Sequence, residues 1–213
     1  MADIFEEVDE ELKEENLKKL WDRYGRFLIA AVVLLVGGVA AFKFWEAYTQ
    51  GQRQAYSEAF ISAISLAEEG KNSDAAAAFT VFAEDATAGY AMLARFREAA
   101  ARRKDGDPGA AIDIYETLAA DDSIESLYRD LAVLLSVMAQ ADTGDAKALS
   151  DRLAPLAAEG PWRHTAGEYL GLFALRQGDT ATARKRFEGI ADDAQAPQGA
   201  RQRAAELLQT LGK

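Results

Sequence analysis

The chain has no cysteine, one histidine and four prolines among its 213 residues. Without cysteine there is no disulfide framework, thiolate zinc site, iron–sulfur cluster or cysteine nucleophile. A lone His164 cannot supply the multi-histidine ligand sets that most catalytic metals use. No Gly-rich phosphate loop, paired-carboxylate signature or metal-ligand spacing is present either, so no catalytic, cofactor-binding or metal-binding residue is expected. Positive charge is also scarce: 24 Lys and Arg stand against 35 Asp and Glu, a net charge of −11. That balance argues against nucleic acid, whose phosphates need clustered cations. What the sequence does have is alanine, 44 residues by count. Alanine-rich, proline-poor sequence favours helix throughout.

One segment departs from this composition. Residues 27 to 42, from Phe27 to Phe42, carry no charge or strongly polar group. Extended through Lys43 to Trp45, the run is 19 residues long, or roughly 28 Å of helix, close to a hydrocarbon core of about 30 Å. Trp21 and Tyr24 precede it, and Trp45 and Tyr48 follow it, as aromatic rings at two headgroup levels would. The expectation is a transmembrane helix over 27–45. Lys13, Lys18, Lys19, Arg23 and Arg26 precede it, against Lys43 and Arg53 behind, which puts the N-terminus on the cytoplasmic side. Signal cleavage after Val39-Ala40-Ala41 is the rival reading. Residues 1–26 read as an acidic helical tail, with Ile4, Phe5, Val8, Leu12, Leu17 and Leu20 at helical spacing. The tail is either a solvated extension of the span or a docking helix.

Over residues 46–213 the chain repeats itself. Gly70, Gly106, Gly144 and Gly178 recur at intervals of 36, 38 and 34 residues, a period typical of stacked helical hairpins. Nine positions after each glycine comes a large apolar residue: Phe79, Tyr115, Leu153 and Phe187. Five positions after, three of the four have alanine: Ala75, Ala111 and Ala183, with Leu149 in the third hairpin. Glycine closes one helix in the left-handed conformation, and an Asp, Ser or Thr next to it caps the following one. The small and large residues then share a face, the small one admitting the partner helix closely and the large one filling the gap.

The predicted first helices of the hairpins span 47–69, 87–104, 124–141 and 162–177. Their partners span 73–84, 108–120, 146–158 and 180–191. The first helix is read as continuous with the apolar run, with a break near Gly51. A final helix over 197–211, polar on one side through Arg201, Gln202, Arg203 and Glu206, would cap the stack. The spacing resembles the tetratricopeptide repeat. Gly178, Ala183 and Phe187 follow that family's pattern, and Leu170-Gly171 matches its leucine–glycine pair, whereas Ala99 and Val137 stand at that glycine in other hairpins. The fold class expected is all-α: an N-terminal transmembrane helix, then an α-solenoid of about four such hairpins with a capping helix.

The concave face of a stack of this kind binds segments of other proteins. The candidate protein-binding residues are Tyr90, Phe96, Tyr128, Tyr169 and Phe173, most of which are also expected to serve the core between repeats. His164, beside Trp162 and Arg163, reads as a surface or capping residue. Arg102-Arg103-Lys104 suits a helix C-terminus, and Arg184-Lys185-Arg186 a solvated face.

The layout as a whole is similar to the YfgM-like family of ancillary SecYEG translocon subunits. The likeness is carried by Trp21 with Tyr24-Gly25, by Phe42-Lys43-Phe44-Trp45, by Gly89-Tyr90-Ala91-Met92-Leu93-Ala94, by Glu159-Gly160-Pro161-Trp162, by Gly167-Glu168-Tyr169-Leu170, and by the stretch from Gln177 to Arg184. The resemblance implies a single-pass protein of the bacterial inner membrane with a periplasmic repeat domain. It implies the SecYEG translocon and periplasmic chaperones of the PpiD type as partners, and no catalysis. A cell-envelope or division scaffold, and a secreted repeat protein freed by signal cleavage, remain as alternatives.

Overall fold

With so little proline, most of the chain has no residue that forbids helix, and glycine-centred joints divide it into elements. The computed structural model describes the backbone of residues 3–212, and the side chains of residues 21, 23–27, 29, 34–48 and 57–212. Among the described residues there are nine helices: α1 (Asp3–Glu68), α2 (Asn72–Asp85), α3 (Ala88–Lys104), α4 (Pro108–Ala120), α5 (Ser126–Ala139), α6 (Ala146–Ala158), α7 (Arg163–Arg176), α8 (Thr180–Ala191) and α9 (Gln198–Leu211). From α2 onward every boundary lies within two residues of the span expected from sequence. The widest departures are at the two ends of α5. Its start is delayed because Asp121 Oδ1 accepts hydrogen bonds from the Ser123 N–H at 2.9 Å and the Ser123 hydroxyl at 2.6 Å, which turn the chain before the helix begins. The expected break near Gly51 is absent, since the backbone there is helical.

The chain divides into two compact units, Met1–Ala55 and Tyr56–Lys213. In the first, the transmembrane expectation is overturned. No helix among the described residues is long and apolar enough to cross a membrane, so the span over 27–45, the inner-membrane placement and the sidedness built on it do not stand. Two physical reasons are visible. The uncharged run is 16 residues, or about 24 Å of helix, short of a hydrocarbon core of about 30 Å. Its extension to Trp45 includes the charged Lys43, which pairs at 2.7 Å with Glu46 immediately beyond, so the apolar surface cannot be continued further. Trp21, Tyr24, Phe42, Phe44, Trp45 and Tyr48 are all exposed. The apolar spacing read in Ile4, Phe5, Val8, Leu12, Leu17 and Leu20 lies outside the described side chains.

In the second unit, each helix packs on the next in sequence, from α2 to α9. The joints follow local chemistry. Gly70, Gly106 and Gly178 have φ of 79°, 90° and 79°. Each closes its helix with a pair of backbone bonds, such as Asp179 N to Ala174 O at 2.8 Å and Gly178 N to Leu175 O at 2.9 Å; this is the left-handed cap that glycine adopts without penalty. The following helix is capped by an aspartate side chain in three hairpins. Asp107, Asp145 and Asp179 accept from Ala110 N, Ala148 N and Thr182 N at 3.0, 2.7 and 2.9 Å. The first hairpin has Lys71 there, with no side-chain cap.

Gly144 differs from the expectation of a left-handed glycine, because its φ is not positive. It is needed for space instead: a Cβ there would lie 2.9 Å from Leu149 Cδ1 and 3.0 Å from the Gln140 carbonyl oxygen. Arg176 of α7 crosses to this joint and donates to the Ala141 carbonyl and, at 2.9 Å, to that of Gly144.

The core follows the repeat. The residues five and nine positions after each glycine are all buried, including Leu149 and Leu153 of the third hairpin. Facing the large residue, seven positions before each glycine, stand Ala63, Ala99, Val137 and Gly171, each of them buried. The pairs compensate in volume. Glycine and alanine oppose Phe187, Phe79 and Tyr115, while the larger Val137 opposes the smaller Leu153, which keeps interior packing dense at every level.

Candidate protein-binding groove

Sixteen positions before Gly106, Gly144 and Gly178 stand Tyr90, Tyr128 and Trp162. Between α5 and α7 this column fills the space between neighbouring hairpins. Trp162 is half-buried, packs against the core cluster of Leu134, Leu153 and Leu170, and donates its indole N–H to the Leu127 carbonyl at 3.1 Å. One hairpin earlier, the smaller Tyr128 occupies the corresponding place, and the position matching Leu127 is Gly89, whose absent Cβ would meet no atom within 4 Å. The space beside Gly89 and Tyr128 stays open. The result is a groove of about 890 Å³ between the N-terminal turns of α3, the end of α4 and the start of α5. Pockets that enclose ligands run from about 300 to 1,000 Å³.

Its walls are mostly apolar. Tyr90, 53% exposed, and Leu93, 43% exposed, stand on the α3 side, with Ile114 and Leu118 of α4 and Ile124 and Tyr128 beyond. Tyr90 is steadied from behind by an edge-on contact with Phe82, centroids 6.5 Å apart. The charged lining residues are Asp121, Glu125 and Arg95. Arg95 is committed to Glu98 at 3.0 Å; Glu98 is buried at 3% exposure, receives the Thr80 hydroxyl at 2.7 Å and also faces Arg102 at 3.5 Å. The Asp121 carboxyl is held below the usual carboxylate range, chiefly by the Ser123 hydroxyl and then by its backbone N–H. The rim is therefore acidic at neutral pH.

Of the five aromatic residues singled out from sequence, Tyr90 and Tyr128 share this groove. Phe96 packs on Tyr115, centroids 6.2 Å apart, in the core between α3, α4 and α5. Tyr169 and Phe173 meet at 6.1 Å in the next core cluster, where Phe173 is 1% exposed. Burial raises the Tyr115 and Tyr169 hydroxyls above the usual tyrosine range, with Glu168 adding to the effect at Tyr169. Gly89 and Trp162 are not among the site residues singled out from sequence, although the columns seventeen and sixteen positions before the glycines carry the information.

Two other readings change. His164 is not on the surface: it is 8% exposed and its Nε2 lies 2.8 Å from Asp193 Oδ2, tying α7 to the turn before α9. Arg184 is not simply solvated, because it donates to the Leu211 carbonyl at 2.7 Å and holds the end of α9. Arg102, Arg103 and Lys104 do lie in the last turn of α3. Among the described residues, no group of three His, Asp or Glu side chains converges as a metal site would require.

No curated protein sequence and no solved structure is similar enough to the chain to serve as a comparison. A family match is found, and it covers residues 18–211, the stretch that includes all the paired helices, their glycine joints and the groove. The chain belongs to the family of tetratricopeptide repeat-like domains.

Proposed function

We propose that the chain is a non-enzymatic protein-binding module and that its second unit receives a segment of a partner protein in the groove between α3 and α5. The observation that carries this reading is the open apolar groove with Tyr90 and Tyr128 on its walls. Aromatic side chains that stay exposed beside a preformed cleft are the usual anchors of protein recognition. Stacked helical hairpins present such surfaces on a rigid support. For the partner, the resemblance to the YfgM-like family is the sole guide, and it points to the SecYEG translocon or a PpiD-type folding factor.

The test places a photo-crosslinking amino acid at Leu93 of the full chain in cells, with a second chain carrying it at the exposed Arg201 of α9 as control. Adducts formed from position 93 and not from 201, and lost on Tyr90→Ala, are the expected result. Equal adducts from both positions, or none, would overturn the reading. Identification of the adducts decides the finer claim, since an absence of translocon and folding-factor components would remove the secretion partner and leave the binding module.

A further inference from the structure

The chain contains its own example of what fills a space of this kind. Between α5 and α7 the gap is occupied by an indole, which lies against apolar side chains and donates its N–H to a backbone carbonyl at the start of the preceding helix. Between α3 and α5 the groove is open; in the register of the repeat, Gly89 stands where the next hairpin has Leu127, whose carbonyl receives that N–H, and Tyr128 where the hairpin after that has Trp162. The two spaces are built from the same repeat, and the open one keeps the Gly89 backbone in the register of the Leu127 carbonyl that the indole meets in the closed one. The complement of the open one is therefore the group that the chain itself places in the closed one.

Charge narrows the occupant further. Asp121 and Glu125 lie on the rim, and Arg95, the one cation lining the groove among the described residues, is engaged by Glu98. Residues 46–213 carry 26 acids against 18 bases. An acidic approach of this kind favours a cationic partner and repels an anionic one.

We propose that the groove takes a short basic segment of a partner protein that inserts one tryptophan between α3 and α5, flanked by Lys or Arg that face Asp121 and Glu125. This rests on the binding-module reading and specifies the chemistry of the partner. The segment's indole lies between Leu93 and Tyr128, near the Gly89 backbone, and the open volume accommodates the residues on either side of it.

The test uses the full chain and a fluorescently labelled synthetic peptide, Lys-Ala-Ala-Trp-Ala-Lys-Arg, with Trp→Ala and all-Glu-for-Lys/Arg versions as controls. Two variants add bulk at lining positions of the groove, copying the residues of the chain's other hairpins: Gly89→Leu and Tyr128→Trp. Gly89 accepts a side chain, since an added Cβ would meet no atom within 4 Å and its φ is not positive; circular dichroism and thermal melting verify that both variants fold. The expected result is saturable binding of the basic tryptophan peptide, weakened about tenfold or more by either variant or by Trp→Ala in the peptide, as for a central anchor residue. Glu125→Lys should weaken the basic peptide and favour the acidic one.

Equal binding of the tryptophan and alanine peptides, equal binding by the wild type and both groove-filling variants, or no binding at all would overturn the proposal. So would self-association of the chain that Gly89→Leu abolishes, because a second copy would then be the occupant. If the peptide results fail while crosslinking from Leu93 still yields a protein partner, the binding module survives and the tryptophan-bearing basic segment does not.

Discussion

At position 171 a hydrogen atom stands where any other residue would place a methyl group inside a phenylalanine ring. A Cβ on Gly171 would lie 2.5 Å from Phe187 Cε1 and 2.7 Å from Cζ, and that ring is fully buried. Alanine is the better helix former by about 1 kcal/mol, yet overpacking a dense core costs about 1–3 kcal/mol, and a ring enclosed on all sides has little room to give. Gly171→Ala is therefore expected to lower the melting temperature, and an unchanged or raised value would refute the close-approach account. The third hairpin supplies the remedy, since Val137 there opposes Leu153 in place of a phenylalanine. Combining Gly171→Ala with Phe187→Leu should be less destabilising than the sum of the single changes, a coupling that a double-mutant cycle measures. Much of this was readable in the sequence: the residues at plus five and plus nine were identified with their burial, and Gly171 with its neighbour Leu170. Ala63 was missed because alanine is so common in this chain that one more at the right place does not stand out. Gly144 was misread for a different reason, since a glycine kept for space and one kept for its backbone angle look alike in sequence.

Among the elements, α9 is held by polar contacts that its own apolar stripe does not reveal. Arg203 donates twice to Glu168 of α7, Nε at 2.8 Å and a terminal nitrogen at 2.7 Å. Glu168 is 8% exposed, so removing its partner leaves a nearly buried carboxylate unmatched. Hydrogen bonds to charged groups contribute about 1.5–3 kcal/mol, and the half-exposed arginine places the value toward the lower end. Arg203→Ala should lower the melting temperature and speed amide exchange in α9 before that of α3. Arg203→Lys should recover only part, because an ammonium cannot make the two parallel bonds. The helix starts carry a pH dependence of their own. Asp179 is held below the usual carboxylate range, first by the Thr182 side chain and then by its backbone N–H, and Asp193 first by His164 and then by the Gln195 N–H. A carboxylate with a lowered folded value stabilises fully above its unfolded value of about 3.9 and loses that contribution as pH falls through the folded one. The melting temperature should thus be insensitive to these groups between about pH 5 and pH 7 and fall below about pH 4. Asp179→Ala should lower it at neutral pH and narrow the difference in acid. The caps were legible as Gly-Asp pairs, whereas the links through Arg203, Arg184 and His164 join residues 27 to 35 apart in sequence, and no local pattern announces them.

At the scale of the whole molecule, the groove marks a place where the repeat does not close on itself. Each hairpin buries its faces against its neighbours, and α9 covers the last one through Ala200, Ala204 and Leu207 against Ala183, Phe187 and Ile190. A chain ending at Ala196 should expose that surface, bind a hydrophobic dye and sediment as larger species, as uncapped repeat arrays do; a monomeric, dye-silent truncation would contradict this account of α9. The hairpin architecture could be read from four glycines and the residues spaced from them. The groove could be read only by comparing two adjacent columns across hairpins, in which Gly89 stands in line with Leu127 and Tyr128 in line with Trp162. The apolar run over 27–42 misled because length and polarity at its edges decide what such a segment can do, and the Lys43–Glu46 pair lies where it would have to continue. The Arg176 crossing to the α5–α6 joint has a consequence for synthesis as well as for structure. The carbonyls of Ala141 and Gly144 wait for a guanidinium encoded more than thirty residues later. As the chain leaves the ribosome, the third hairpin emerges before the residue that fastens its turn, so those two bonds form only once the fourth has followed, and a stalled or prematurely released product would leave both carbonyls to water.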